Sequence, residues 1–291
     1  MKIAHLILAH KNPKQLERLI RALQHPDFDI YIHIDKKADI TPFQHLFNDR
    51  NVFAVRNRTK IYWASFGTIQ ATLNGFNEIL PKGLYDYINV ISAQDFPIKP
   101  ASSIYQFFLD KKGTEFITCE GAENGWPEIA PRMQKYSLVN FQVKGRYAVE
   151  ALLNKYLPPR KFPFDMKPVG RANWFTLSLN AVQYVMDFIA QHPEYKRFFQ
   201  FTWGADEVLF STILYNSPFK DRIEKNVVYV DWPENNDGHP KLLGSEDFEK
   251  LKASDKLFAR KFDMEKDAVI FDLLESYIGI SEKPEPAAVG R

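Results

Sequence analysis

Apolar residues in the first hundred positions fall into two alternating kinds of run. Ile3-Ala4-His5-Leu6-Ile7-Leu8-Ala9 is nearly continuous, the pattern of a strand buried on both faces. His10-Lys11-Asn12-Pro13 interrupts it, and Leu16, Leu19, Ile20 and Leu23 then recur at helical spacing until His25-Pro26. Ile30-Tyr31-Ile32-His33-Ile34 predicts a second strand ending at Asp35-Lys36-Lys37. A short helix and an apolar patch over residues 51–55 follow, then a helix running from Tyr62-Trp63-Ala64-Ser65-Phe66-Gly67 to about Leu80. Tyr85 to Ile91 predicts another strand, leaving through Ser92-Ala93-Gln94-Asp95-Phe96-Pro97-Ile98. Strand and helix alternating at this spacing predict an α/β fold: a Rossmann-like, mostly parallel sheet flanked by helices.

The alternation breaks over residues 120–168. Gly125-Trp126-Pro127 and Pro158-Pro159-Arg160-Lys161-Phe162-Pro163 punctuate it, and helical runs are expected over 132–141 and 146–156. We read this as an insertion on the acceptor side of a single domain spanning residues 1–280, with a disordered tail over 281–291. The later elements are a glycine turn into a strand over 170–178, a helix over 180–190, a strand over 227–230, a loop over 235–241 and two short helices before Leu257.

The stretch with most chemical content is Trp203-Gly204-Ala205-Asp206-Glu207. It directly precedes Leu209, Phe210, Ile213 and Leu214 at helical spacing. Asp206 is expected to cap or open that helix, whose positive end would keep Glu207 ionised at neutral pH. An ionised carboxylate on a rigid helix start beside an aromatic wall suits a general base; plain capping is the other reading.

Composition narrows the field. Net charge is +2 over 291 residues with 45% hydrophobic content, so no basic face for nucleic acid is expected, although a local cluster for a phosphate ligand is compatible. One cysteine, Cys119, excludes an intrachain disulfide and a Cys-based zinc site. The amino-terminal apolar run is too short to span a bilayer and lacks a cleavage site, so we expect a cytoplasmic protein. Ile98-Lys99-Pro100 and the basic insertion add an electrostatic expectation of peripheral contact with an anionic membrane surface.

Ligands of parallel sheets bind beyond the carboxyl ends of the strands. His10 and Asp35 lie at such ends, where loop solvation and capping are the alternatives. Asp95 reaches the rim with Ser92 and Gln94, but Gln94-Asp95 offers only one carboxylate, so a two-carboxylate metal site is not expected there. Asp27-Phe28-Asp29 has the two carboxylates but precedes its strand, at the wrong end of the sheet. In the insertion Arg132, Tyr136 and Arg146 are candidates to touch sugar or phosphate.

Seven of these pieces, in order, resemble one family: the core-2/I-branching β-1,6-N-acetylglucosaminyltransferases, which also include protein xylosyltransferases. They are His10-Lys11, His33-Ile34-Asp35, Tyr62-Trp63-Ala64-Ser65, Ser92 to Ile98, Gly170 to Ser178, Asp206-Glu207 and Leu257 to Asp263. The resemblance implies a glycosyltransferase-A type fold and transfer of a sugar, N-acetylglucosamine first, from a UDP-sugar with inversion and without a metal ion or other cofactor. It assigns the base to Glu207, with Asp206 left a structural neighbour. With that reading the strand-end residues His10, Asp35 and Asp95 become donor contacts, and the resemblance assigns the diphosphate to Lys261 and Lys241. Arg260 is the alternative cation, expected to be solvated. Trp232 and Trp174 join Arg132 and Tyr136 on the acceptor side. Animal members are Golgi membrane proteins with several disulfides; one cysteine and no apparent anchor suggest a bacterial, cytoplasmic relative with a lipid-linked saccharide or surface glycan as acceptor. A UDP-xylose-dependent xylosyltransferase and a non-catalytic nucleotide- or glycan-binding module are the alternatives.

Overall fold

The structure, a computed structural model, describes residues 1–233 and 238–280. The expected tail over 281–291, and residues 235–237 of the expected loop, lie outside the described residues. The described strands are β1 (Ile3–Ala9), β2 (Phe28–Ile34), β3 (Val52–Ala54), β4 (Tyr87–Ser92), β5 (Asp95–Pro97), β6 (Glu115–Phe116), β7 (Phe175–Ser178), β8 (Ile223–Glu224), β9 (Val228–Val230) and β10 (Phe258–Arg260). The described α-helices are α1 (Pro13–Ala22), α2 (Gly67–Ile79), α3 (Ala101–Asp110), α4 (Ile129–Gln134), α5 (Arg146–Tyr156), α6 (Leu179–Gln191), α7 (Pro193–Phe199), α8 (Leu209–Tyr215), α9 (Phe248–Lys252) and α10 (Val269–Tyr277). None of the described helices is long and apolar enough to cross a membrane.

Within residues 1–280 two compact units stand out. The first takes residues 1–11, 27–92 and 111–227; the second takes 12–26, 93–110 and the chain from Val228.

The first unit is built on a seven-stranded sheet in the order β3-β2-β1-β4-β7-β6-β8. Pairing is parallel from β3 through β4, antiparallel on both sides of β7, and parallel again between β6 and β8. This is the mostly parallel α/β architecture expected. All seven residues of β1 are buried, as its unbroken apolar run requires. His5 is the polar exception: its Nδ1 lies 2.9 Å from Asn89 Nδ2 on β4, and Asn89 Oδ1 accepts from Thr176 Oγ1 of β7 at 2.8 Å. A hydrogen-bonded chain therefore crosses three strands and satisfies polar atoms that burial would otherwise penalise.

Two helix expectations shift. The run expected over 132–141 is helical only as α4, because Lys135 turns extended behind it. α8 starts at Leu209 with Val208 at its cap, and no side chain caps it. Asp206 is therefore not the cap; Ala205–Glu207 form a separate 3-10 turn entered through Gly204, whose φ of 63° suits glycine.

The second unit holds a three-stranded sheet, β5-β10-β9, antiparallel then parallel. α1 enters through Asn12, whose side chain accepts from Gln15 N, with Pro13 at the first helical position. The α1 Gln15 side chain ties together three separated segments of chain. Its Nε2 donates to Ala93 O at 2.8 Å and to Phe262 O at 3.3 Å, and its Oε1 accepts from Met264 N at 2.9 Å. Glu275, 5% exposed, accepts from both Arg18 and Arg21.

Candidate active site

In the first unit, the candidate base sits on the short turn before α8. Arg132 Nη1 approaches Glu207 Oε2 at 2.5 Å, and the guanidinium lies over two indoles, 4.5 Å from the Trp203 ring centre and 4.8 Å from that of Trp126. Arg132, expected as an acceptor contact, is thus the direct partner of Glu207. Among the described residues no hydrogen bond is formed by Oε1, and 32% of the Glu207 side chain is open to solvent.

The electrostatics of this pair reverse one expectation. Glu207 is pushed up to about 7: burial raises it most, the neighbouring Asp206 carboxylate adds to that, and Arg132 pulls the other way. No α-helix end keeps it ionised. Asp206 is raised as well, mainly by burial, against hydrogen bonds from Asn173 and Thr68; Asn173 Nδ2 donates to it at 3.0 Å.

Backbone packing fixes the turn. A Cβ on Gly170 would lie 1.9 Å from Glu207 O, so only glycine lets the two segments meet. Gly170 bridges to Glu120, and Arg171 N donates to Glu207 O at 3.0 Å. Arg171 Nη1 in turn holds Glu120 Oε2 at 2.6 Å and Gly125 O at 2.9 Å. Gly204 N donates to Ala64 O, which brings the 62–65 loop alongside. Trp63 there is 60% exposed and meets Trp203 edge-on at 5.2 Å.

The strand-end candidates are placed as follows. Asp35 is 3% exposed; Oδ1 accepts from Lys37 N at 2.9 Å and Ile61 N at 3.4 Å, while Lys37 Nζ lies 3.5 Å from Oδ2. Arg58 donates to the carbonyls of Ile34, Asp35 and Ala38, bracing the carboxyl end of β2. His33, one turn of the pleat earlier, is pushed down to about 4 by burial, and its Nε2 accepts from Thr59 N. His10 is exposed just past β1. Tyr136 is half-buried, and both its backbone groups bond the Asn154 side chain of α5. Trp174 is 7% exposed. Asp29 accepts from Tyr85 Oη at 2.7 Å, at the amino end of β2.

The second unit holds the remaining candidates. Asp95 is fully buried and pairs with Arg260 Nε at 3.0 Å across the antiparallel register of β5 and β10. Arg260, expected to be solvated, is instead mostly buried against this carboxylate. Leu243 N donates to Lys261 O at 2.9 Å, so the segments carrying Lys241 and Lys261 run side by side. Lys241 Nζ reaches Asp247 at 2.6 Å and Glu246 at 3.6 Å. Trp232 is 51% exposed.

Sequence reasoning missed Trp126 and Asn173 as parts of the Glu207 environment, and treated Trp63 and Gly170 only as pieces of longer motifs. A glycine followed within four residues by an Asn and a Trp marked the second of these segments, but nothing local connects it to Glu207.

The sequence pattern of the Core-2/I-Branching enzyme family matches residues 3–253. Xylosyltransferase 1 of Rattus norvegicus is 24% identical over 310 residues, covering 96% of this chain and 35% of that protein. Xylosyltransferase 1 of Homo sapiens is 25% identical over 244 residues, covering 80% of this chain and 24% of that protein. Xylosyltransferase 2 of Rattus norvegicus is 22% identical over 323 residues, covering 99% and 35%. The chain thus spans about a third or less of the length of these relatives. With a match running through β1, the Glu207 turn and α9, this chain belongs to the Core-2/I-Branching enzyme family.

Proposed function

We propose that the chain is an inverting glycosyltransferase that moves a sugar from a UDP-sugar to a hydroxyl of a glycan or lipid-linked saccharide, with Glu207 as general base. The observation that carries this reading is Glu207 itself. Its pKa is raised to about 7, its Oε2 is held by Arg132, and part of its side chain faces solvent. A base poised near the working pH is half ionised there and binds a proton well. In the step, Glu207 Oε1 takes the acceptor hydroxyl proton as that oxygen bonds to the anomeric carbon. The carbon–oxygen bond to the diphosphate breaks on the opposite face, and its electron pair leaves with UDP. Lys241 and Lys261 offset the growing negative charge, while His10, Asp35 and Asp95 belong to donor recognition. Trp232, Arg132, Tyr136 and Trp174 belong to the acceptor side.

Metal independence is part of the proposal. Arg260 already places a guanidinium on Asp95, the single carboxylate of the Gln94-Asp95 segment, and a divalent cation there would meet that positive charge. Transfer is expected to continue in excess EDTA; activity lost to EDTA and restored by manganese would overturn this.

N-acetylglucosamine is the first donor sugar to test. The names of the relatives favour xylose as a second reading, so UDP release is to be measured with both donors, with and without acceptor. Glu207→Gln keeps the shape but cannot take a proton. We expect transfer to fall about a hundred- to ten-thousandfold while UDP still raises the melting temperature. Near wild-type transfer by this variant would refute the assignment of the base, and no UDP release with any donor would favour a binding module.

A further inference from the structure

α5 is amphipathic with its faces reversed. Arg146, Glu150 and Leu153, spaced i, i+4 and i+7, are its half-buried residues, and none of its residues is fully buried. Polar bonds hold it to the body: Glu150 Oε2 accepts from Leu138 N at 2.7 Å, and Asn154 bonds both backbone groups of Tyr136 at 2.8 Å. Val149, Leu152 and Tyr156, spaced i, i+3 and i+7, form a stripe along the flank next to Leu153 and are 52%, 62% and 70% exposed. Val143, just before the helix, is 63% exposed. Apolar side chains of this size would each gain about 1.5–3 kcal/mol on burial, so the pattern points outward to a partner.

Charge identifies the partner. Residues 131–161 contain seven lysines and arginines against one acidic residue, Glu150, in a chain whose whole net charge is +2. Glu150 is turned inward, so the outer side carries positive charge beside the apolar stripe, including the exposed Lys144 and Lys155. Two-fold pairing with a second copy would set this charge against itself. An anionic bilayer surface matches both properties: headgroups for the lysines, and the interfacial layer for Val149, Leu152 and Tyr156.

We propose that α5 lies flat on an anionic membrane surface and docks the protein there through this stripe. At eleven residues it is far too short to span a bilayer.

The test is co-sedimentation of the full chain with phosphatidylcholine vesicles, with and without phosphatidylglycerol. Binding is expected to require the anionic lipid and to weaken with added salt. Leu152→Asp should weaken it about tenfold, and Lys144→Gln and Lys155→Gln about fivefold each. All three positions are exposed, so melting temperature and UDP release should match wild type. No binding to anionic vesicles, or variants that bind like wild type, would overturn the proposal. So would a solution dimer that Leu152→Asp dissociates, because the stripe would then belong to a second copy.

Discussion

Asp206 and Glu207 are neighbours in sequence and differ in what holds them. Asp206 is held by Asn173, on a segment more than thirty residues upstream, whereas Glu207 is held by Arg132. Both carboxyls are raised by burial, and Arg132 offsets that in both, through its charge at Asp206 and through a direct hydrogen bond as well at Glu207. The general base must be ionised, so kcat/KM should rise with pH through about 7 and level off above it. Arg132→Met keeps a long side chain between the Trp126 and Trp203 rings but removes the charge that favours ionised Glu207. The pKa then moves further up and the acid limb moves to higher pH. Activity relative to wild type should therefore fall at least about tenfold more at about pH 6 than at about pH 8.5. A limb that stays in place, or moves to lower pH, would show that Arg132 does not act through Glu207. The carboxylate pair was legible in the sequence. Its protonation was not, because the helix expected to fix it starts only at Leu209 and the groups that do fix it come from distant segments.

At the level of elements, the site depends on a turn pressed against a strand entry. Gly170 lies four residues before Trp174, and the sequence marks it as a turn. The reason for glycine there is the carbonyl of Glu207, 1.9 Å from where a Cβ would stand. Gly170→Ala must push that turn away. Overpacking of this kind costs about 1–3 kcal/mol, and a shift of about 1 Å at a base costs about a hundredfold in rate. The control is Gly83→Ala. Gly83 has φ of 61° with nothing within 4 Å of its Cβ position, so the substitution should cost about 1 kcal/mol and leave kcat unchanged. Rates and urea midpoints of the two variants check this; equal loss of rate would mean that stability alone explains the effect. Strands and helices with strong periodicity, β1, β2, α1 and α2, were readable because their apolar spacing is local. The run expected over 132–141 failed beyond Gln134 because Lys135 is extended, and its neighbour Tyr136 is fixed instead by Asn154 of α5.

At the scale of the whole molecule, the chain leaves the first unit and returns to it, so that the second unit is assembled from three separated segments. No local pattern announces this: Gln15 and Phe262 are 247 residues apart and share a hydrogen bond. Read alone, Gln15 is an ordinary polar position of an amphipathic helix. In the structure it is 2% exposed and bonds Ala93, Phe262 and Met264, one partner or more from each of the other two segments. Gln15→Leu has nearly the same size and good helix propensity, so its effect reports the hydrogen bonds. Phe262 O keeps Gln94 Nε2 at 3.4 Å, but Ala93 O and Met264 N lose this partner; leaving a buried polar group unmet costs about 1–3 kcal/mol each, which puts the expected loss at about 3 kcal/mol. That loss should be regional. Amide exchange should quicken in α1, β5, β10 and α10 and stay slow in β1 and β4, whose ladder Gln15 does not enter. Uniformly faster exchange would show that the second unit has no stability of its own to lose, and unchanged exchange would show that Gln15 does not bind its segments together.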